Sequence, residues 1–148
     1  MRPIINPYTR QTITEIPDST QTDVQNAITH ADELRASFAK MPAHRKAKIL
    51  STASALIEAG ADDLAKIMSE ESGKPLKYAT GEVMRATETF LFASDVARNI
   101  YGESFSMDSA RGGVGKFAYT MRVPIGVIGA ITPFNFPLNL VAHKVAPA

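Results

Sequence analysis

Ile125-Gly126-Val127-Ile128-Gly129-Ala130-Ile131 is the stretch on which the fold turns: seven uncharged residues, apolar at odd and even positions alike. A strand with one wet face alternates apolar and polar residues. One that is apolar on both faces belongs in the middle of a parallel sheet covered by helices. Parallel neighbours are reached only through crossover segments. Seventeen residues follow Ile131, and they read as a turn and then a helix starting near Pro137. The rest of the sheet is therefore expected outside these residues, because a lone buried strand leaves its backbone donors and acceptors unpaired. With the sequence closing inside a helical pattern at Val145-Ala146-Pro147-Ala148, the chain reads as a piece of a larger fold.

Just upstream, Phe117, Tyr119, Met121 and Val123 alternate with Ala118, Thr120 and Arg122, a period of two that predicts a strand. Its hairpin partner is expected at about 103–109, with Arg111-Gly112-Gly113-Val114-Gly115 as the loop whose glycines supply positive φ. Before Gly102 the period becomes helical. Thr22 and Gln25 fit a capping box, and Val24, Ile28, Ala31, Leu34 and Phe38 mark a helix at about 22–40. Pro42 opens a second helix, about 42–59, with Ile49, Ala53, Leu56 and Ile57 on one face and Gly60 as its left-handed end. Leu64, Ile67 and Met68 mark a third, ending at Gly73. Pro75 then opens a long fourth helix with Leu76, Ala79, Val83, Ala86, Phe90, Ala93, Ala97 and Ile100 inward, closed by Gly102. Residues 1–19 hold the turn Asn6-Pro7-Tyr8-Thr9 and the strand-like alternation Thr12 to Ile16.

Composition narrows the function. The 148 residues are 45% hydrophobic and 21% charged, enough for an ordinary soluble domain, and a chain of this length is expected to bury about 68–70% of its unfolded surface. The absence of cysteine excludes, within these residues, a disulfide framework, a zinc ribbon and a thiol nucleophile. Sixteen basic residues against fifteen acidic ones, interspersed, give no stripe for nucleic acid. No apolar run approaches the roughly 20 residues of a membrane span, and the N-terminus has no apolar leader region. A cytoplasmic protein with small-molecule or protein partners is expected.

Most candidate motifs fail on spacing. Gly112-Gly113-Val114-Gly115-Lys116 lacks the outer glycine and the hydroxyl residue of a phosphate loop. Gly126-Val127-Ile128-Gly129 lacks the third glycine of a dinucleotide fingerprint. His30, His44 and His143 are isolated, so no metal site is expected, and Asp62-Asp63 and Glu70-Glu71 read as solvated helix faces. What remains is Ile131-Thr132-Pro133-Phe134-Asn135-Phe136-Pro137 at the carboxyl end of the apolar strand, where α/β sheets bind ligands. Asn135, stiffened by a proline on each side, reads equally as a ligand-facing amide or as the cap of the helix at Pro137.

Arg122-x-Pro124-x-Gly126-Val127, then Ile131 to Leu138, then Lys144-x-Ala146-Pro147-Ala148 resembles the NAD(P)-dependent aldehyde dehydrogenase superfamily. The resemblance runs the whole chain, through Asn6-Pro7-Tyr8-Thr9, Asp23-Val24 with Ala27-Ile28, Arg45 before Ile49-Leu50, Glu71-x-Gly73-Lys74-Pro75 and Gly102-Glu103. Residues Ile131 to Leu140 look nearest the lactaldehyde and non-phosphorylating glyceraldehyde-3-phosphate branch. Phe134 stands where many members have tryptophan.

The resemblance implies an α/β fold: the N-terminal part of the aldehyde dehydrogenase fold, mostly helical here, with a β-hairpin and the first strand of a Rossmann-like cofactor-binding sheet. It divides the chain into a helical part of the cofactor domain at 1–102, a hairpin that pairs protomers at 103–123, and the start of the Rossmann-like core at 124–148. It makes Asn135 the catalytic amide that donates to the oxyanion when a cysteine thiolate adds to an aldehyde. Thr132, Pro133, Phe134 and Asn135 become a wall of the NAD or NADP site, and Phe136, Leu140 and His143 line the aldehyde's approach. Lys144 lies near that site without an assigned step. A homo-oligomer, dimer or tetramer, is implied for the parent enzyme. The nucleophile, the general base and most of the dinucleotide sheet would lie beyond Ala148, so these residues alone are expected to be inactive. The competing class is a non-catalytic helical module that works by pairing with another protein.

Overall fold

The computed structural model describes residues 1–148. Strands β1 (Arg2–Ile5) and β2 (Thr12–Ile16) form an antiparallel hairpin with Arg2 opposite Ile16 and Ile4 opposite Thr14. The Asn6 side chain closes it by accepting from the N–H groups of Tyr8 and Thr9 at 2.9 and 3.0 Å, the local bonding for which asparagine is favoured in turns. Four helices follow, α1 (Gln21–Ala39), α2 (Ala43–Ala59), α3 (Ala61–Ser72) and α4 (Leu76–Arg98). A short ribbon, β3 (Ser104–Ser106) with β4 (Phe117–Tyr119), and a terminal helix α5 (Asn139–Val145) complete the chain. No helix is long and apolar enough to cross a membrane.

The helices lie where the periodicity places them, but their ends differ from expectation. The capping box of α1 is Thr20 with Asp23, not Thr22 with Gln25: the Thr20 hydroxyl accepts from the Asp23 N–H at 3.2 Å, and the Asp23 carboxylate accepts from the Thr20 N–H at 2.8 Å. The Thr20 N–H, and after it the Thr20 hydroxyl donating to the same carboxylate at 2.8 Å, hold the Asp23 carboxyl below its ordinary pKa. Gly60 has φ −95° and joins α2 directly to α3, whereas Gly73, at φ 69°, is the left-handed cap. The fourth helix ends at Arg98, short of Gly102. Gly102 serves close approach instead: a Cβ there would fall 1.6 Å from the Thr120 carbonyl oxygen.

Helix α4 is the hub. Against α2 it presents small residues, and two buried hydroxyls bridge the pair, Ser54 Oγ to the Thr87 carbonyl at 2.9 Å and Ser94 Oγ to the Ala47 carbonyl at 2.8 Å. Against α3 it closes a cluster of Ala65, Met68, Ala79 and Val83, with Leu138 packed onto it from the chain's end.

The expected large core is not present. Only 15 of 148 residues are buried, and the accessible surface is 11275 Å², where size scaling for a folded 16.0 kDa protein gives about 7,400 Å². The apolar stripe of α1 shows why: Val24, Ile28, Leu34 and Phe38 each remain 43–54% exposed, because no other helix packs along them and only the Lys46 side chain of α2 reaches over the Phe38 ring. The 124–131 strand is likewise not formed. Residues 121–134 make no backbone–backbone hydrogen bond within the chain, and Ile125 and Ile131 are 88% and 92% exposed. Strand geometry is a property of a pair, and these residues include no partner for the segment.

Candidate functional site

The site is built from the chain's end and the start of α4. After the unpaired segment, residues 134–138 turn through a bend, and α5 begins at Asn139 rather than near Pro137. The residue at the helix start is Leu138 with no side-chain cap, so Asn135 does not cap α5.

The cap comes from across the fold. Glu82 of α4 is fully buried, and its Oε1 accepts from the N–H groups of Leu138 and Asn139 at 3.0 and 3.1 Å, two of the donors that a helix start leaves unsatisfied. Its Oε2 is paired with Lys74 Nζ, which also donates to the Asn135 carbonyl at 3.1 Å. The Lys74 ammonium lies 4.5 Å from the centroid of the Phe136 ring, and the Arg85 guanidinium 4.9 Å. A buried carboxylate survives only when paired and hydrogen-bonded, and this one is both.

The turn is thereby fixed at Asn135 O, at the Phe136 ring and at the amides of Leu138 and Asn139. The Asn135 residue itself is exposed. Thr132 is half-buried, Pro133 is exposed and Phe134 is 91% exposed, so this stretch presents backbone and an aromatic ring to the surroundings. Phe136, Leu140 and His143 follow at spacings of four and three, with Leu140 N–H bonded to Phe136 O at 3.0 Å, which brings them to one side of the turn and helix. Lys144 is exposed in the last turn of α5.

The sequence reading missed Glu82 and Arg85. The signal for Glu82 was there: it follows Ala79 by three residues and precedes Ala86 by four, so it stands on the buried face of α4, where an unpaired acid is not tolerated.

The family model described as "Aldehyde dehydrogenase family" matches residues 1–148. The chain belongs to the aldehyde dehydrogenase family. Among curated relatives of this family, a 3-sulfolactaldehyde dehydrogenase from Priestia megaterium is 38% identical over 146 residues, and a lactaldehyde dehydrogenase from Methanocaldococcus jannaschii is 37% identical over 145 residues. Each match covers 98% of this chain and 30% of the relative. Among solved structures, an aldehyde dehydrogenase from Physcomitrella patens in complex with the reaction product succinate superposes with a TM-score of 0.95 at 36% identity, covering 99% of this chain and 30% of that one. A glyceraldehyde-3-phosphate dehydrogenase from M. jannaschii complexed with NADP gives 0.92 at 35% identity, covering 99% and 31%. The fold is thus the N-terminal part of the aldehyde dehydrogenase fold, and the chain spans about a third of the length of the relatives it matches.

Proposed function

We propose that these residues form the part of an NAD(P)-dependent aldehyde dehydrogenase that carries the oxyanion donor, Asn135, and one wall of the cofactor site. The observation behind this reading is the division of labour at the turn. Glu82 caps α5 and Lys74 holds the Asn135 carbonyl, so the structural tasks are met without the Asn135 side chain. A neutral amide on an exposed but anchored backbone suits a donor that meets developing negative charge without changing protonation state.

The chain has no cysteine, so the thiolate that adds to the aldehyde carbonyl belongs to another part of the enzyme. Asn135 then donates its side-chain N–H to the carbonyl oxygen as that oxygen becomes anionic. The backbone of Thr132, Pro133 and Phe134 engages in no hydrogen bond here, which leaves its polar groups to a cofactor as the reading requires. NAD or NADP, when bound, supplies hydride acceptance. The NADP named for the M. jannaschii structure supports NADP in particular. Phe136, Leu140 and His143 flank the aldehyde's path. Lactaldehyde and sulfolactaldehyde in the names of the relatives support a small hydroxylated aldehyde as the substrate.

The reading carries three companions. The functional parts are 1–102, 103–123 and 124–148. The enzyme works in the cytoplasm. It is a homo-oligomer, a dimer or tetramer, joined at the β3–β4 ribbon, whose Phe105, Phe117 and Tyr119 are 48–70% exposed.

The test is Asn135→Ala in a full-length enzyme carrying this segment. Loss of one oxyanion donor lowers kcat by about 10²–10³, equivalent to about 2.7–4 kcal/mol, with cofactor affinity retained. Unchanged turnover sinks the reading.

A further inference from the structure

We infer that Lys74 and Glu82 are positioning residues for Asn135: an ion pair with a fully buried carboxylate and a partly buried ammonium that sets where the oxyanion donor stands. The inference rests on the reading of Asn135 given above and extends it to the side chains that hold it.

The geometry connects the three residues through a short chain of contacts. The Asn135 carbonyl accepts from Lys74 Nζ at 3.1 Å, two covalent bonds from the Cα that carries the side-chain amide. Lys74 is anchored in turn by Glu82, which has no exposed surface, while the Lys74 side chain is 16% exposed. Glu82 binds the same turn a second time through the N–H groups of Leu138 and Asn139. The carboxylate thus grips the turn on both sides of Phe136, directly on one side and through Lys74 on the other, and the Phe136 ring under the ammonium adds a third contact.

The local backbone explains why such a clamp is needed. Residues 121–134 have no backbone–backbone hydrogen bonds within the chain, so no backbone pairing immediately upstream fixes Asn135. Downstream, α5 has only seven residues and begins four positions later, at Asn139. An oxyanion donor is useful only within a few tenths of an ångström of its target, and side chains that lock its backbone are how such precision is achieved. Lys74 comes from the link between α3 and α4 and Glu82 from the second turn of α4, so the clamp ties the catalytic turn to the helix that forms the hub of the chain.

The expected signature is a selective loss of turnover. Glu82→Gln preserves the size and an oxygen acceptor for the two amides but removes the charge that holds Lys74. In a full-length enzyme carrying this segment it should lower kcat ten- to hundredfold, with KM for aldehyde and cofactor within about threefold of the parent. Lys74→Arg, which keeps the charge and a donor, should retain most of the rate that Lys74→Met loses. The double variant E82Q/N135A should be no slower than N135A alone, because a clamp acting through Asn135 has nothing left to position.

The other outcomes are separable. If N135A lowers kcat while E82Q leaves it unchanged, the clamp is wrong and the oxyanion assignment stands. If E82Q and N135A multiply in the double variant, or E82Q only raises KM, Glu82 acts by a route other than Asn135 and the inference falls. If N135A leaves kcat unchanged, the oxyanion assignment falls and takes the inference with it.

Discussion

Gly73 ends α3 at φ 69°, and a Cβ built there would meet the Pro7 ring at 3.1 Å. Both the backbone and the space argue for glycine, so Gly73→Ala should destabilise the fold by about 1–2 kcal/mol, read from chemical denaturation of the enzyme. The neighbouring Lys74 gives that loss a functional edge, because displacing the end of α3 displaces the clamp. At the other end of the helical region, the Asp23 carboxyl is held below its ordinary pKa by the Thr20 backbone N–H first and the Thr20 hydroxyl second. A depressed carboxylate contributes stability that is present above the unfolded pKa and lost as pH falls through the folded value. The start of α1 should therefore fray as pH drops below the ordinary carboxylate range, and Asp23→Asn should flatten that dependence in a helicity titration. Thr20→Ala should cost about 1 kcal/mol at neutral pH by removing the cap. Single residues were the least legible scale. Thr22-x-x-Gln25 and Thr20-x-x-Asp23 are both plausible caps on paper, and only the backbone shows which hydroxyl meets an N–H. Asn135 is legible because two prolines frame it, whereas Glu82 is not, because its partners are 8 and 56 residues away.

Helices carry their instructions locally, and for that reason α1 to α3 are legible to within a residue or two, whereas α4 stops four residues before the glycine expected to close it and leaves Leu76 and Ile100 half-exposed. Their stripes, the prolines at 42 and 75 and the glycine at 73 are read within a few positions of one another. The 124–131 stretch is the opposite case. Its composition describes a central strand correctly as a chemical preference, but a strand needs a neighbour, and none is supplied from within these residues. The first strand of the N-terminal hairpin, Arg2–Ile5, was missed for a related reason: Arg2-Pro3-Ile4-Ile5 has no alternation, and its pairing with β2 alone makes it a strand. Where helices pack, sequence and structure agree in a testable way. Ala47 is fully buried beneath Ser94, whose hydroxyl reaches the Ala47 carbonyl across the α2–α4 contact. Small side chains permit that approach, and Ala47→Leu should force the helices apart, costing about 1–3 kcal/mol in denaturant unfolding. An equal loss from Leu at His44, exposed near the start of α2, would show that the close approach is not the cause.

At the scale of the whole molecule, the surface area is the telling quantity. The chain exposes 11275 Å², about 3,900 Å² more than size scaling gives for a folded protein of 16.0 kDa. That excess, all on one side, is more than the roughly 1,000–2,500 Å² that each partner contributes to an obligate interface. The exposed residues are those of an interior: Ile125, Ile131 and Phe134 are each about nine-tenths exposed, in a segment with no backbone hydrogen bonds of its own. Such a surface is of the kind that other polypeptide covers, and the relatives matched are about three times as long as this chain. Two states of the segment should then be distinguishable by amide exchange. In these 148 residues alone, the amides of 121–134 should exchange at close to unstructured rates while those of α2 and α4, buried against each other, are protected. In a full-length enzyme, protection should spread to 124–131 as the segment gains sheet neighbours. A dye that fluoresces on apolar surfaces should bind the short form and not the long one. Slow exchange at 124–131 in the isolated chain would show that it closes this surface by itself, as a self-sufficient interaction module would, and would move the explanation of the chain away from catalysis.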